Sequence, residues 1–227
     1  MTMKEMKVRV TYMEELLGTA SANPEIHSEF IASKAPEAPS REEEVASLGA
    51  EAVEEKAMTV FPRLNEEEKI IRQIDPDTEV PFTWNYQWKG FFKDSCGMLR
   101  RGTGFKSAKL TAFKKVIDGL VFVKERKIPL ILPEGGKIGE CQRPLRASTA
   151  QGERIALAHS ETVPAGTKQE FTVMVLKDDL MGYVREWLDY GALHGTGQWR
   201  NSGKGAYFWE ELDNDGNVIG GNYADWQ

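Results

Sequence analysis

Residues 178–212, DDLMGYVREWLDYGALHGTGQWRNSGKGAYFWEEL, decide the reading of the fold. Leu180, Tyr183, Val184, Trp187 and Leu188 recur at helical spacing, which predicts a helix with one apolar stripe, capped by Asp178 and running to about Tyr190. Tyr207 to Leu212 reads as a strand. Between them, Gly191 to Tyr207 holds five glycines in company with His194, Trp199, Arg200, Asn201 and Lys204. Glycine accepts positive φ and has no Cβ, so such a loop brings backbone close to something, while its companions add a stacking face, charge and hydrogen bonds. Phosphate or nucleic acid suits that chemistry, and a plain surface loop between helix and strand accounts for the glycines alone.

Outward from this segment the pattern alternates between classes. Lys7 to Tyr12 alternates Val8 and Val10 with Lys7 and Arg9, the period of a half-buried strand. Gly18 to Pro24 has turn composition, and Ser40 with Glu43 makes a capping-box start for an Ala- and Glu-rich helix down to Met58. Pro81 to Tyr86 reads as a strand with Phe82, Trp84 and Tyr86 on one face, followed by a helix from Trp88 to Arg101 that stops at Gly102. Ser107 to Val116 reads as a short helix, turned by Asp118-Gly119 into strand Leu120 to Lys124, with another strand at Lys127 to Leu132. Arg143 to Thr149, Arg154 to Ser160 and Lys168 to Leu176 continue as strands, and Asn214 to Gly216 carries a hairpin signature before Val218 and Ile219. The order predicts a single α+β domain over 1–227, with helices on one face of an antiparallel sheet and an acidic, largely helical insertion or arm at 28–77.

A chain of 227 residues with 41% hydrophobic content can bury a real core. Its apolar runs are strand-sized and no charged-then-apolar leader precedes Lys7, so a cytoplasmic protein without a membrane partner is expected. Cys96 and Cys141 are too few for a disulfide framework or zinc site and read as small hydrophobes in a reducing compartment. The net charge of −6 argues against nucleic acid only until its distribution is followed. Acids dominate from Met13 to Val80, whereas from Gln87 to Ala147 bases prevail, including Lys106, Lys109, Lys114 and Lys115. A basic face on an acidic protein follows, and local potential matters more to a polyanion than net charge.

The order of elements, with three local motifs, resembles the RAMP superfamily of CRISPR-associated proteins, especially the effector-complex backbone subunits that line guide RNA. The loop Gly195-Thr-Gly197-Gln-Trp-Arg200-Asn-Ser-Gly203-Lys-Gly205 is similar to that family's C-terminal glycine-rich loop. Glu161-Thr-Val163-Pro164-Ala-Gly166-Thr167 before Phe171 looks like its turn between paired strands, and Trp88-Lys89-Gly90-Phe-Phe with Arg100 resembles its RNA-facing helix. The resemblance spans Pro81 to Leu212 and the first strand. It implies a ferredoxin-like, RRM-related sheet with an insertion, in a bacterial cytoplasm or encoded by a phage. The acidity of 28–77 departs from the apolar and basic thumb that the resemblance implies.

Together these features predict a groove for single-stranded RNA or DNA, with no cofactor and no metal. Its expected contacts are Lys89, Lys93, Arg100 and Arg101 from the helix, Arg143 and Arg146 from a strand, and His194, Gln198, Trp199, Arg200, Asn201 and Lys204 from the loop. Gly195, Gly197, Gly203 and Gly205 supply loop backbone. Trp199 reads equally well as a core anchor, whereas Lys204 between two glycines is not expected to be buried.

Enzyme templates largely fail. The loop's glycine spacing misses both the P-loop and the dinucleotide fingerprint, and His27-Ser-Glu29 has no paired cysteines to complete a zinc deaminase signature. Two alternatives stay open. One is a metal-independent endoribonuclease using His194 or His159, since imidazole titrates near neutrality. The other is an interaction protein or inhibitor that docks on a nucleoprotein complex through the acidic arm; the expected partners are single-stranded RNA or DNA, such a complex, or a second copy of the chain.

Overall fold

The computed structural model describes residues 3–21, 58–64, 80–149 and 152–223, without the side chains of 21, 144–149 and 152–157. Its strands, in chain order, are β1 (Lys4–Tyr12), β2 (Leu16–Leu17), β3 (Ala20–Ser21), β4 (Met58–Val60), β5 (Arg63–Leu64), β6 (Val80–Trp84), β7 (Val121–Val123), β8 (Lys127–Pro129), β9 (Gly139–Thr149), β10 (Gly152–Val163), β11 (Lys168–Val175), β12 (Tyr207–Leu212) and β13 (Val218–Gly221). The described helices are α1 (Asn85–Leu99), α2 (Phe113–Leu120) and α3 (Leu180–His194), with 3₁₀ turns at Lys106–Lys109 and Arg200–Ser202.

Backbone contacts divide the chain into two compact units. The first comprises Met1–Leu16, Thr83–Pro133 and Ala165–Gln227. Its sheet runs β13-β12-β1-β11-β7, with antiparallel neighbours throughout. Taken in chain order, β1, α1, β7, β11, α3 and β12 make the βαββαβ succession of a ferredoxin-like fold, extended at one edge by the β12–β13 hairpin.

The period-2 pattern of β1 explains which face is covered. Met6, Val8, Val10 and Tyr12 are all buried, opposite Val173, Phe171, Gln169 and, across β12, Trp209 and Tyr207. Aromatic side chains of α1 and α3 close over them: Trp88 lies 4.5 Å from Phe171 and 5.5 Å from Tyr207 between ring centroids, and Phe92 lies 5.8 Å from Trp187. Burying each such ring contributes about 2–3 kcal/mol.

Several boundaries differ from expectation for local reasons. Tyr86 is helical, because Trp84 begins α1 by donating its backbone N–H to the Gln87 side chain at 2.9 Å. The predicted helix from Ser107 is split at Leu110–Ala112, where Ala112 takes φ 46°, and Asp118-Gly119 sits inside α2 rather than in a turn. Asp179, not Asp178, stands at the start of α3; Asp178 instead pairs with Lys4 at 2.9 Å. α3 also runs on to His194, so Gly191 is a helical residue.

The second unit comprises Leu17–Phe82 and Glu134–Pro164. β9 and β10 form a long antiparallel hairpin from Gly139↔Thr162 to Thr149↔Gly152, and β4 runs parallel to β10 with β3 antiparallel beside it. Arg63 is buried and bonded to Glu161 at 2.7 Å and to the Phe61 carbonyl at 2.6 Å, while Phe61 donates its N–H to the same carboxylate at 2.8 Å. Of the expected insertion at 28–77, residues 58–64 are described and include strands β4 and β5; the rest lies outside the described residues. Cys96 is fully buried, whereas Cys141 is only half-buried.

Candidate nucleic-acid interface

The glycine loop is built to close on itself. Gly195 donates to the Gly191 carbonyl at 2.9 Å, Thr196 to Gly205 at 2.9 Å, Gly203 to Arg200 at 2.8 Å and Gly205 to Glu15 at 2.8 Å. Gly195 (φ 69°) and Gly205 (φ 72°) permit the approach: a Cβ on Gly205 would lie 2.0 Å from the Thr196 carbonyl oxygen, and one on Gly195 2.6 Å from that of Lys204. These four amides therefore serve the fold, and the loop presents exposed side chains beside them. Trp199 is 40% exposed and sits in left-handed backbone (φ 55°) just before the Arg200–Ser202 turn, where Asn201 is also exposed. A bulky residue in this region costs about 1–2 kcal/mol, and the closed loop enforces it. The core-anchor reading of Trp199 is set aside by its exposure.

His194, Arg200 and Asp94 meet. Nε2 of His194 lies 2.8 Å from Oδ2 of Asp94 and 2.7 Å from Nη1 of Arg200, and Arg200 also donates to Asp94. Nε2 accepts from Arg200 in one tautomer and donates to Asp94 in the other. The His194 ring also stacks on Tyr190 at 4.8 Å. Burial raises the Asp94 carboxyl, but hydrogen bonds and charge from His194 and Arg200 outweigh it and hold it below its ordinary value. Lys204 is paired as well, 3.0 Å from Glu15 and 3.6 Å from Glu14, and that contact raises its pKa.

The helix bases divide. Lys89 donates to the Asp118 carbonyl at 2.8 Å and covers the Phe122 ring, and Lys93 pairs with Asp118 at 2.5 Å. Lys93 lies about 100° and Lys89 about 140° around α1 from Asp94, whose carboxylate meets the loop. Arg100 and Arg101 follow the end of α1 and are exposed, with Arg100 over the Phe113 ring at 4.9 Å. Gln198 is half-buried in the loop.

Arg143 and Arg146 belong to the second unit, on β9 opposite Ala158 and Ile155; Arg143 is 8% exposed, so its guanidinium is interior rather than on a surface. His159 is on β10, opposite Gln142. The structure thus brings His194 and Arg200 together through Asp94, and ties Lys204 to the start of the same unit through Glu15. Asp94, Glu14 and Glu15 escaped the sequence reading, because no local signal distinguishes an acid that faces a distant loop.

No family model matches the chain, and no curated protein matches its sequence. Solved structures, among them two CRISPR complexes, hold similar chains. A chain of a Type IV-B CRISPR complex is 11% identical with a TM-score of 0.45, covering 95% of this chain and 93% of that one. A chain of the Type III-B Cmr-beta complex bound to cognate target RNA is 9% identical with a TM-score of 0.48, covering 93% of this chain and 59% of that one. Neither likeness carries residue roles across. Among the described residues no helix is long and apolar enough to cross a membrane, and no cluster of His, Cys, Asp or Glu has the makings of a metal site.

Proposed function

We propose that this chain is a non-catalytic, single-stranded nucleic-acid-binding protein of RAMP type, working as part of a larger nucleoprotein complex. The observation that carries the reading is Trp199, held out on a strained, closed loop whose cations Arg200 and Lys204 are oriented by acids. Arg200 is fixed on α1 through Asp94, and six residues along that helix, about 9 Å by its rise, the exposed Arg100 begins a basic surface. An aromatic face beside cations is the combination that tracks a single strand, bases stacking and phosphates meeting charge.

Fluorescence anisotropy with short RNA and DNA single strands at rising salt tests it. Binding that weakens with salt is expected, and Trp199→Ala should cost about 1–3 kcal/mol, roughly 5- to 150-fold. No salt-sensitive binding to either strand would overturn the reading.

The contact between His194 and Asp94 favours a second reading, a metal-independent endoribonuclease, since a carboxylate beside an imidazole can orient a general base. Against it, Nε2 is already occupied by Asp94 and Arg200. Cleavage in EDTA that disappears in His194→Ala would favour this second reading over the first.

A further inference from the structure

The cations of the glycine loop have acid partners, but among the described residues a second group of bases has none. From Ser95 to Ile117 the chain contains no Asp or Glu, yet holds Arg100, Arg101, Lys106, Lys109, Lys114 and Lys115. All six are exposed, and among the described residues none forms an ion pair, whereas Lys93, Arg200 and Lys204 each do. Clustered bases without counter-charges repel one another, so such a surface invites an external anion.

Its geometry is fixed from beneath. Glu186 of α3 accepts from the Lys106 N–H at 2.5 Å and, through its other oxygen, from the Ser107 N–H at 2.9 Å and the Ser107 hydroxyl at 2.5 Å. Trp187 Nε1 donates to the same hydroxyl at 2.9 Å. This acid is turned inward on the turn's amides, and the 3₁₀ geometry then eclipses Lys106 and Lys109, three residues apart, on one side. Arg100, lying over Phe113, joins the end of α1 to the start of α2, where Lys114 and Lys115 follow Phe113 in sequence. Phe105 is 41% exposed, with its ring resting on Gly102, where a Cβ would come within 2.6 Å of it. An exposed ring among unpaired cations fits a strand with accessible bases better than a smooth anionic surface.

We propose that Arg100, Arg101, Lys106, Lys109, Lys114 and Lys115 form a cationic platform, held in place by Glu186, that receives the phosphates of single-stranded nucleic acid. The inference rests on the binding function proposed above and assigns its main phosphate contacts to a surface other than the glycine loop.

The test compares the full-length chain with its Lys106→Gln/Lys109→Gln/Lys114→Gln/Lys115→Gln variant and with Trp199→Ala, using labelled 20-nucleotide RNA and DNA single strands over a salt series. Circular dichroism and the melting temperature serve as folding controls, since all four lysines are exposed. The expected result is at least a tenfold loss of affinity near 0.1 M salt, with a log–log salt slope shallower by up to roughly 3, at about 0.7 for each phosphate that a lysine no longer neutralises. Trp199→Ala should weaken binding with little change of slope. If the wild type binds and the lysine variant keeps its affinity and slope, the platform is wrong and the binding function stands. If the folded wild type binds neither strand at any salt, both fall.

Discussion

Gly191 in α3 lies flat against the ring of Tyr207 in β12, so close that a Cβ on the glycine would sit 2.1 Å from Cζ. The helix reaches the sheet here without a side chain between them. Both partners are buried, and the ring also packs edge-on to Trp88 and Phe91. Gly191→Ala would ordinarily favour a helix by about 1 kcal/mol, but the ring has nowhere to move, so a net loss of about 1–3 kcal/mol is expected in denaturant unfolding. Tyr207→Phe behaves in the opposite way. The hydroxyl is buried without a hydrogen-bond partner among the described residues, and burial pushes its pKa well up, so its removal should be neutral or stabilising by up to about 1 kcal/mol.

Glu186 caps the Lys106–Lys109 turn through three hydrogen bonds. Glu186→Ala should lower stability by about 1–3 kcal/mol and speed hydrogen exchange at the Lys106 and Ser107 amides ahead of those in α1. Unchanged exchange at both amides would mean that the turn is held by other contacts.

Lys204 is restrained by Glu15 at 3.0 Å on a partly exposed surface. Under the proposed function, Glu15→Gln releases that cation to a phosphate and removes a nearby negative charge. Affinity for a single strand should rise about two- to fivefold at low salt, the scale of one exposed ion pair. A fall in affinity would show that Glu15 positions Lys204 for the ligand rather than competing with it.

Asp94 has a lowered pKa in the folded chain because the His194 and Arg200 contacts outweigh its burial. Its pairing therefore stabilises the fold above the ordinary aspartate value of 3.8 and is lost as pH falls through the lower, folded value. Asp94→Asn should melt below the wild type at pH 7, and the gap should close as pH falls through and below 3.8. A gap that stays constant over that range would assign the effect to packing rather than charge.

Much of the fold was legible locally. The alternation of Val8 and Val10, the stripe from Leu180 to Leu188 and the hairpin after Asp213 each depend on neighbours within one element, and each stands in the structure near its expected place. Misplaced boundaries, at Tyr86, Ala112 and Gly191, are those where a distant contact or a local backbone kink overrides propensity. The helix continues through Gly191, where the Tyr207 ring leaves no room for a side chain. Of the candidate site, the exposure of Arg100, Arg101 and Asn201 accords with their polarity, but which cations are partnered followed from no spacing.

The sequence by itself determined the α+β class, the glycine loop and the segregation of charge, because periodicity, turn chemistry and composition are properties of adjacent residues. Tertiary structure alone decided that the loop's glycines hold the loop shut, that Asp94 gathers His194 and Arg200, and that the bases from Arg100 to Lys115 lack acid partners among the described residues. Hydrogen bonds and ion pairs act over a few ångströms between residues as many as 189 positions apart, as Lys204 and Glu15 are, and only the folded chain sets those distances.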